Sequence, residues 1–250
     1  MSQFLQVLPI ELIDIIIDYL DTDLCALKAC SLVCKAWQAR SRHHLFRSIN
    51  LDLSLPPKSL NNFLCHVSRP VSHFHITIHS LSLRSQCSPK QQYNLAVLAS
   101  LRSLTHLTLL YWNVMPDSHW FSGSPNVTYL KLESCRVDYP GFVALLQQFP
   151  KLECLQLKDV SWRGCFDIKQ AARRGKVLKH VRRFHLGANS MPVVPELTAL
   201  MSTGIIEGKV EEVVLEDVEM RNERIVGELL TSVGTSLRSL VISAKSRLSE

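Results

Sequence analysis

The segment VTYLKLESCRV (residues 127–137) carries the pattern that decides the fold of this chain. Apolar residues stand at Val127, Leu130, Leu132 and Val137, and Cys135 precedes the last of them. The Leu-x-Leu core predicts a short strand with both leucines on one face, because successive side chains of a strand alternate between faces. The cysteine after the strand is expected to turn inward, where it can satisfy backbone groups of the loop.

The same register recurs seven more times along the chain. The copies are FRSINLDLS (46–54), IHSLSLRSQ (78–86), LTHLTLLYWNV (104–114), LECLQLKDVSW (152–162), VRRFHLGANSM (181–191), VEEVVLEDVEM (210–220) and LRSLVISAK (237–245). The second apolar position of each copy falls at residue 49, 81, 107, 130, 155, 184, 213 or 240, so neighbouring copies are 23 to 32 residues apart. In the copy at 181–191, Asn189 takes the polar position and is also expected to turn inward.

Helix-like stretches with apolar residues at i, i+3 and i+4 separate several of these copies. They are KQQYNLAVLASL (90–101), PGFVALLQQF (140–149), CFDIKQAARRGKVL (165–178), PELTALMSTGII (195–206) and NERIVGELLTSV (222–233). Strand, turn, helix and return make one coil of a solenoid, in which each coil packs on its neighbours. The alternative is that the eight copies align by chance, because the chain is rich in leucine. The narrow spacing and the intervening helices favour the repeat.

These copies resemble leucine-rich repeats, which run about 20–29 residues. The resemblance covers residues 49–250 and implies an α/β fold: a horseshoe-shaped solenoid with a parallel sheet on its concave face. Several copies lack the Asn of the family pattern, so an irregular horseshoe is expected.

The residues that flank the inward leucines on the strands are the candidate substrate-binding residues. They are His106, Thr108, Tyr129, Lys131, Gln156, Lys158, Arg183, His185 and Glu212, with Cys154, Glu216 and Ser239 on the same face. The middle strands are basic and aromatic and the later ones acidic, which predicts a partner of complementary charge. The alternative is an ordinary solvated surface, since exposed charges often contribute little.

The N-terminal segment LPIELIDIIIDYL (8–20) predicts a helix with Pro9 in its first turn, where a missing N–H costs nothing. Two apolar stripes run along it. One contains Ile10, Ile13, Ile17 and Leu20, and the other contains Leu12, Ile15, Ile16 and Tyr19. A helix that is apolar on two faces must bury both, so one face is expected to meet its own module and the other a further surface.

Two more short helices are predicted within DTDLCALKACSLVCKAWQARSRHHLF (21–46). Asp21 or Asp23 can cap the second helix, and a third helical stretch holds Ser31, Val33, Cys34 and Trp37. Three short helices form too small a core to be comfortably stable alone. They are therefore expected to lean on neighbours, either residues 50–250 or another protein.

The ordered set Leu-Pro, Glu-Leu, an apolar helix, a Leu-rich helix and Val-Cys-Lys-x-Trp resembles the F-box, and SRHHLFRSINL (41–51) is similar to fungal F-box proteins. The resemblance implies a three-helix module over residues 1–48 that docks onto a Skp-type adaptor and through it a cullin. The residues that it assigns to adaptor binding are Leu8, Pro9, Ile10, Leu12, Ile13, Ile16, Leu20, Leu24, Leu27, Val33, Cys34 and Trp37.

An F-box followed by leucine-rich repeats is similar to the substrate-recruiting subunits of Skp–cullin–F-box ubiquitin ligases. The resemblance implies an adaptor without catalytic activity, whose repeats bind a protein substrate. The alternative is a leucine-rich-repeat interaction scaffold outside any ligase.

The amino-acid composition limits where the protein can be located in the cell and which class of protein it can belong to. The 250 residues are 46% hydrophobic and 20% charged, which argues against disorder, and the net charge of +6 is only mildly basic. No Lys or Arg precedes the first apolar run, and Glu11, Asp14 and Asp18 interrupt it. We therefore expect neither a secretory signal nor a membrane span, and a location in the cytoplasm or nucleus.

Metal, catalytic and nucleic-acid functions are weighed as alternatives. Eight cysteines without a CxxC pair suggest reduced thiols, and the spacing of Cys30, Cys34, His43 and His44 matches no common zinc site, so no metal or cofactor is expected. There is no GxSxG, HExxH or glycine-rich phosphate loop, although Cys34 or Cys154 beside a histidine is a conceivable nucleophile. The basic run ARRGKVLKHVRR (172–183) could grip phosphates, but it has no interleaved aromatic residues for base stacking.

Overall fold

The computed structural model describes residues 8–53, 62, 63, 65–67, 77–85, 100–114, 126–163, 180–187, 189, 190, 194–202, 209–218 and 222–244. These residues form an α/β structure, in which three short helices lead into a large parallel sheet. Among them, no helix is both long enough and apolar enough to cross a membrane.

The sheet contains eight strands that follow one another in chain order. They are β1 (Ser48–Asp52), β2 (Ser80–Arg84), β3 (His106–Leu110), β5 (Tyr129–Glu133), β7 (Cys154–Lys158), β9 (Arg183–Leu186), β10 (Glu212–Val218) and β11 (Ser239–Ala244). Every neighbouring pair is parallel. Parallel neighbours need a crossover connection, so the chain returns to the same end of the sheet after each strand.

The register of the sheet matches the alignment of the eight sequence copies. Ile49, Leu81, Leu107, Leu130, Leu155, Phe184, Val213 and Leu240 stand opposite one another across successive strands. The prediction that these positions are equivalent is therefore confirmed.

Two columns of apolar side chains across the sheet form the core. The first contains Leu81, Leu107, Leu130, Leu155, Phe184 and Val213, and the second contains Leu83, Leu109, Leu132, Leu157, Leu186 and Leu215. Each of these side chains is at most 1% exposed. The helices α4 (Tyr139–Gln147), α5 (Val194–Ser202) and α6 (Glu223–Val233) contribute further buried residues to the same cluster.

The helices agree with the predicted periodic segments where the structure describes them. Helix α4 lies within PGFVALLQQF apart from its first residue, α6 within NERIVGELLTSV, and α5 covers the first part of PELTALMSTGII. The predicted helices at 90–101 and 165–178 fall outside the described residues, apart from residues 100 and 101.

A repeated turn ends each of three central strands. Tyr111, Ser134 and Asp159 follow β3, β5 and β7 with φ of 61°, 52° and 52°, in the left-handed region that reverses the chain sharply. The chain then enters the short strands β4 (Asn113–Val114), β6 (Arg136–Asp138) and β8 (Ser161–Arg163), which pair as a second parallel sheet.

The residue after each left-handed position is buried and closes the turn. Cys135 turns inward as predicted, and its thiol donates to the carbonyl of Leu109 at 3.3 Å. In the preceding coil Trp112 has the same role, because its indole N–H donates to the carbonyl of Leu83 at 2.9 Å. The prediction for Asn189 was wrong: its side chain is exposed, and Ser190 beside it is buried.

The three N-terminal helices have a small core of their own. Helices α1 (Ile10–Asp18), α2 (Leu24–Cys30) and α3 (Lys35–Leu45) bury Ile13, Ile17 and Leu27, with Leu20, Trp37 and Leu45 packed against them. This cluster is separate from the core beneath the sheet. The boundary at residue 48 stays a prediction.

Local details of this module differ in part from expectation. Asp23 caps α2, accepting hydrogen bonds from the backbone of Cys25 at 3.0 Å and Ala26 at 2.9 Å. Pro9 is the residue before α1 rather than within its first turn. The third helix begins only at Lys35, because Ser31 and Val33 lie in the preceding turn and Cys34 is its N-cap residue.

One carboxylate joins the first helix to the third. Asp18 accepts two hydrogen bonds from the Arg40 guanidinium, both at 2.6 Å, and Nε2 of His44 lies 2.7 Å from it. The hydrogen bonds from Arg40, and then His44, hold the pKa of Asp18 far below its usual value. This bidentate contact fixes the angle at which α1 presents its outer face.

We expect Leu130→Ala to lower the free energy of unfolding by about 2–5 kcal/mol, because it leaves a cavity in the centre of the column. Leu240→Ala removes the same atoms at the equivalent position of β11, where the side chain is 41% exposed. That control should cost less, about 1–2 kcal/mol, because the side chain is only partly buried. Urea denaturation followed by circular dichroism measures both, and equal losses would contradict a packed column at Leu130.

Candidate functional site

Helix α1 exposes one complete apolar stripe. Leu12, Ile15, Ile16 and Tyr19 are 46%, 50%, 42% and 83% exposed, and they follow one another at i, i+3, i+4 and i+7. Ile13 and Ile17 on the opposite side are 7% and 0% exposed. Of the two predicted stripes, the one with Ile13, Ile17 and Leu20 therefore packs into the module, apart from its first member Ile10, which is exposed, and the other faces outward.

Other large apolar side chains of the same three-helix module are also exposed, and together with the stripe we call them the apolar face. Its members are Leu8, Ile10, Leu12, Ile15, Ile16, Tyr19, Leu24, Leu32 and Val33. Each is at least 42% exposed. The stripe on α1 alone places four exposed apolar side chains side by side, which is unusual on a monomeric protein and marks interaction surfaces.

The residues assigned to adaptor binding divide into three groups. Leu8, Pro9, Ile10, Leu12, Ile16, Leu24, Val33 and Cys34 are exposed. Leu20 and Trp37 are partly buried and pack against the module core. Ile13 and Leu27 lie within that core, so the assignment needs correction there: these two side chains stabilise the module from inside and cannot meet a partner directly.

Three exposed members of the apolar face were absent from the predicted binding set. Ile15 and Tyr19 belong to the outward stripe, so the helical period could have identified them. Leu32, which is 85% exposed, lies in the turn between α2 and α3, where no periodic signal exists.

The side of the sheet opposite the core carries the predicted substrate-binding residues. His106, Tyr129, Arg183 and Glu212 occupy one row across the strands, with Cys154 between Tyr129 and Arg183. Thr108, Lys131, Gln156 and His185 form the next row. All of these except Cys154, which is 8% exposed, are at least partly exposed, and we call this surface the open face.

Contacts along the open face hold its central side chains in place. The hydroxyl of Tyr129 donates to Oε1 of Gln156 on the neighbouring strand. The ring of His106 packs against Tyr129 from the other side, with ring centroids 5.2 Å apart. Burial raises the pKa of Tyr129, so its phenol stays protonated and remains a donor.

The two central lysines share one carboxylate, which offsets one of their two positive charges. Nζ of Lys131 lies 2.7 Å from one carboxylate oxygen of Glu133, and Nζ of Lys158 lies 3.3 Å from the other. The hydrogen bond from Lys131 is the main cause that lowers the pKa of Glu133. Glu133 was not among the predicted site residues, although its place two residues after Lys131 puts both on one face of β5.

Arg183 is the cation of the central strands that keeps its charge available. Among the described residues, no carboxylate lies within ion-pair distance of its guanidinium, whereas His185 lies 2.8 Å from Glu216. The basic character predicted for the middle of the sheet therefore rests more on Arg183 than on Lys131 or Lys158.

Cys34 and Cys154, the two conceivable nucleophiles, lie in different surroundings. Burial raises the pKa of Cys154, and burial raises that of Cys135 to about 11, so both favour the protonated form. Cys34 is exposed. Within the described ranges, no three His, Cys, Asp or Glu side chains come together as a metal site.

Most of the basic run at 172–183 lies outside the described residues. Of its charged members only Arg182 and Arg183 are described. Arg182 is exposed, and its guanidinium lies 4.0 Å from Glu211. Phosphate binding by the run stays a prediction.

Comparison with known proteins assigns the chain to no family. The chain matches no protein-family model, and no curated protein matches it in sequence.

We expect iodoacetamide near neutral pH to alkylate Cys25 and Cys34 of the native chain at similar rates, since both thiols are exposed. Cys135 should react only after unfolding, because its thiol is buried with a raised pKa. Peptide mass spectrometry over time measures each site. Labelling of Cys34 far faster than Cys25 would support an activated nucleophile instead.

Proposed function

We propose that this chain is a substrate-recruiting adaptor subunit of a Skp–cullin–F-box type ubiquitin ligase. In this proposal α1–α3 act as the F-box, and the stacked coils of the sheet act as a leucine-rich-repeat-like horseshoe that holds a protein substrate. The observation that carries the proposal is the apolar face, which coincides with the F-box-like residue pattern.

The apolar face favours a protein partner on energetic grounds. Moving a leucine or isoleucine side chain from water to a packed interface is worth about 1.5–3 kcal/mol when burial is complete. Leu12, Ile15 and Ile16 are each about half exposed, so covering them together is worth several kcal/mol. The internal core of Ile13, Ile17 and Leu27 allows α1 to be held in place while its outer side serves the partner.

The open face supports the substrate-binding half of the proposal. It presents hydrogen-bonding and charged side chains on adjacent parallel strands, about 4.8 Å apart, so their spacing is set by the backbone. The chain would contribute no catalytic group. Its role would be to hold a substrate beside the ubiquitin carrier, which makes the transfer effectively intramolecular.

The second candidate is an interaction scaffold outside any ligase. It needs the open face but gives no account of why α1 exposes a full apolar stripe. Binding to a Skp-type adaptor distinguishes the two candidates.

We expect Leu12→Asp or Ile16→Asp to weaken binding to a purified Skp-type adaptor by at least about thirtyfold, because a charge enters a desolvated interface. Leu240→Asp places the same charge on another exposed apolar residue, at the far end of the sheet, and should leave adaptor binding unchanged. Calorimetry or surface plasmon resonance gives the affinities.

Circular dichroism and urea denaturation establish that these variants stay folded, and Ile17→Asp serves as the comparison that should unfold the module. A folded wild-type chain that does not bind the adaptor would contradict ligase membership. Equal affinities of Leu12→Asp and wild type would exclude the apolar face as the docking site.

We expect Arg183→Glu to reduce capture of the substrate, since Arg183 is a central cation of the open face without an ion-pair partner in the described structure. Arg136→Glu makes the same change at an exposed position of β6, the central strand of the second sheet, and serves as the control. Quantitative mass spectrometry of pull-downs identifies proteins lost with the first variant and retained with the second. If both variants capture the same set as wild type, the open face is not the substrate site.

A further inference from the structure

A groove of about 420 Å³ lies where the helical module meets the first three strands of the sheet. Its lining includes Arg47, Ser48, His79, Ser80, Thr105 and His106. The predicted substrate-binding set contained only His106 from this group.

The start of each strand brings these residues together. The backbone carbonyl of Arg47 accepts from the N–H groups of His79 and Ser80, and the carbonyl of His79 accepts from those of Thr105 and His106. Arg47, His79 and Thr105 are therefore equivalent positions of three successive coils. Residues that lie about one repeat apart in sequence become direct neighbours at one end of the sheet.

Hydrogen bonds at Nδ1 orient the imidazole rings of His79 and His106. Nδ1 of His79 lies 2.6 Å from the carbonyl of Thr77, so it must donate there. Nδ1 of His106 lies 2.9 Å from the hydroxyl of Thr105. In both rings Nε2 is the remaining polar atom, and because Nδ1 of His79 donates, its Nε2 can donate to a ligand only when the ring is an imidazolium. His44 also lines the groove, but its Nε2 is already bonded to Asp18.

The groove holds one permanent cation, Arg47, beside imidazoles that can become positively charged. Within the described part of the chain, Arg47 has no carboxylate at ion-pair distance, and Asp21 is the acidic residue of the lining. Burial lowers the pKa of His106, and repulsion from Arg47, His79 and Arg183 lowers it further. An arginine and two imidazoles so close together would be stabilised by an anion among them.

We propose that this groove binds an oxyanion, such as a phosphoryl or carboxylate group, through Arg47, His79 and His106. The hydroxyls of Ser48 and Ser80, which are paired neighbours of His106 in one row, supply further donors. The site does not depend on membership of a ligase, because it shares no residue with the apolar face except Leu24 at its rim.

Oxyanion binding is coupled to protonation of His106. The groups that act on His106 are Arg47, His79 and Arg183, with Asp21 and His44 across the groove and Tyr129 beside its ring. Its lowered pKa leaves the free groove with a neutral ring near pH 7, and a bound anion favours the imidazolium. Binding therefore takes up a proton, and affinity rises as the pH falls toward the pKa of His106.

Sulfate titration of the full chain tests the proposal, with the histidine ring resonances followed by NMR at constant ionic strength. Sulfate stays a dianion near both pH 6 and pH 8, so any change in affinity between them comes from the protein. We expect saturable shifts of His106 and His79, with tighter binding near pH 6 than near pH 8. Arg47→Gln should weaken it by about tenfold or more, since a charged hydrogen bond is lost.

Arg224→Gln on α6 removes the same charge far from the groove and should leave sulfate binding unchanged. Linear, unsaturated shifts, or equal affinities of Arg47→Gln and Arg224→Gln, would overturn the proposal. Titration with N-acetyl-O-phosphoserine amide and N-acetylglutamate amide then distinguishes a phosphoryl from a carboxylate ligand. Arg47→Gln should still bind a Skp-type adaptor if the chain does, so failure here is distinguishable from failure of the ligase proposal.

Discussion

Each strand of the large sheet depends on its neighbours to bury its inward apolar side chain, and the remaining features of the structure follow from this constraint. Leu130 is fully buried because Leu107 and Leu155 flank it in register. Leu240 holds the equivalent position in β11, yet it is 41% exposed, since no described strand pairs with the outer side of β11. Burial at this position is thus a property of the stack rather than of the residue. Stability in such an array is close to a sum over neighbouring contacts.

A stack of parallel strands also requires the chain to leave each strand in the same way. The left-handed residue after β3, β5 and β7 produces that exit, and after β3 and β5 an inward side chain then donates to a carbonyl of the preceding strand. Tryptophan and cysteine meet this need at equivalent positions, because only a donor of suitable reach is required. The result is a backbone that holds the open face at fixed spacing, so the charges on that face are placed by the core beneath them.

The two candidate surfaces differ in physical character. The apolar face of α1 and α2 offers burial, which is strong but non-directional. The open face and the adjoining groove offer hydrogen bonds and charge, which select a partner more than they retain it. An adaptor would need both properties, one for a constant partner and one for a variable partner. The Asp18–Arg40 contact matters to the apolar face, because it holds α1 against α3.

The amino-acid sequence by itself determined the eight equivalent positions, the helices α4 and α6 and the two stripes of α1, because apolar periodicity is a local property of the chain. The outward direction of the Leu12 stripe was decided by tertiary packing, since both stripes are apolar and only packing in the cluster with Leu27, Trp37 and Leu45 selects one. The ion pair between Lys158 and Glu133, the outward turn of Asn189 and the meeting of Arg47, His79 and His106 also required the fold. These features depend on side-chain direction and on crossovers that bring distant residues together, and periodicity contains neither.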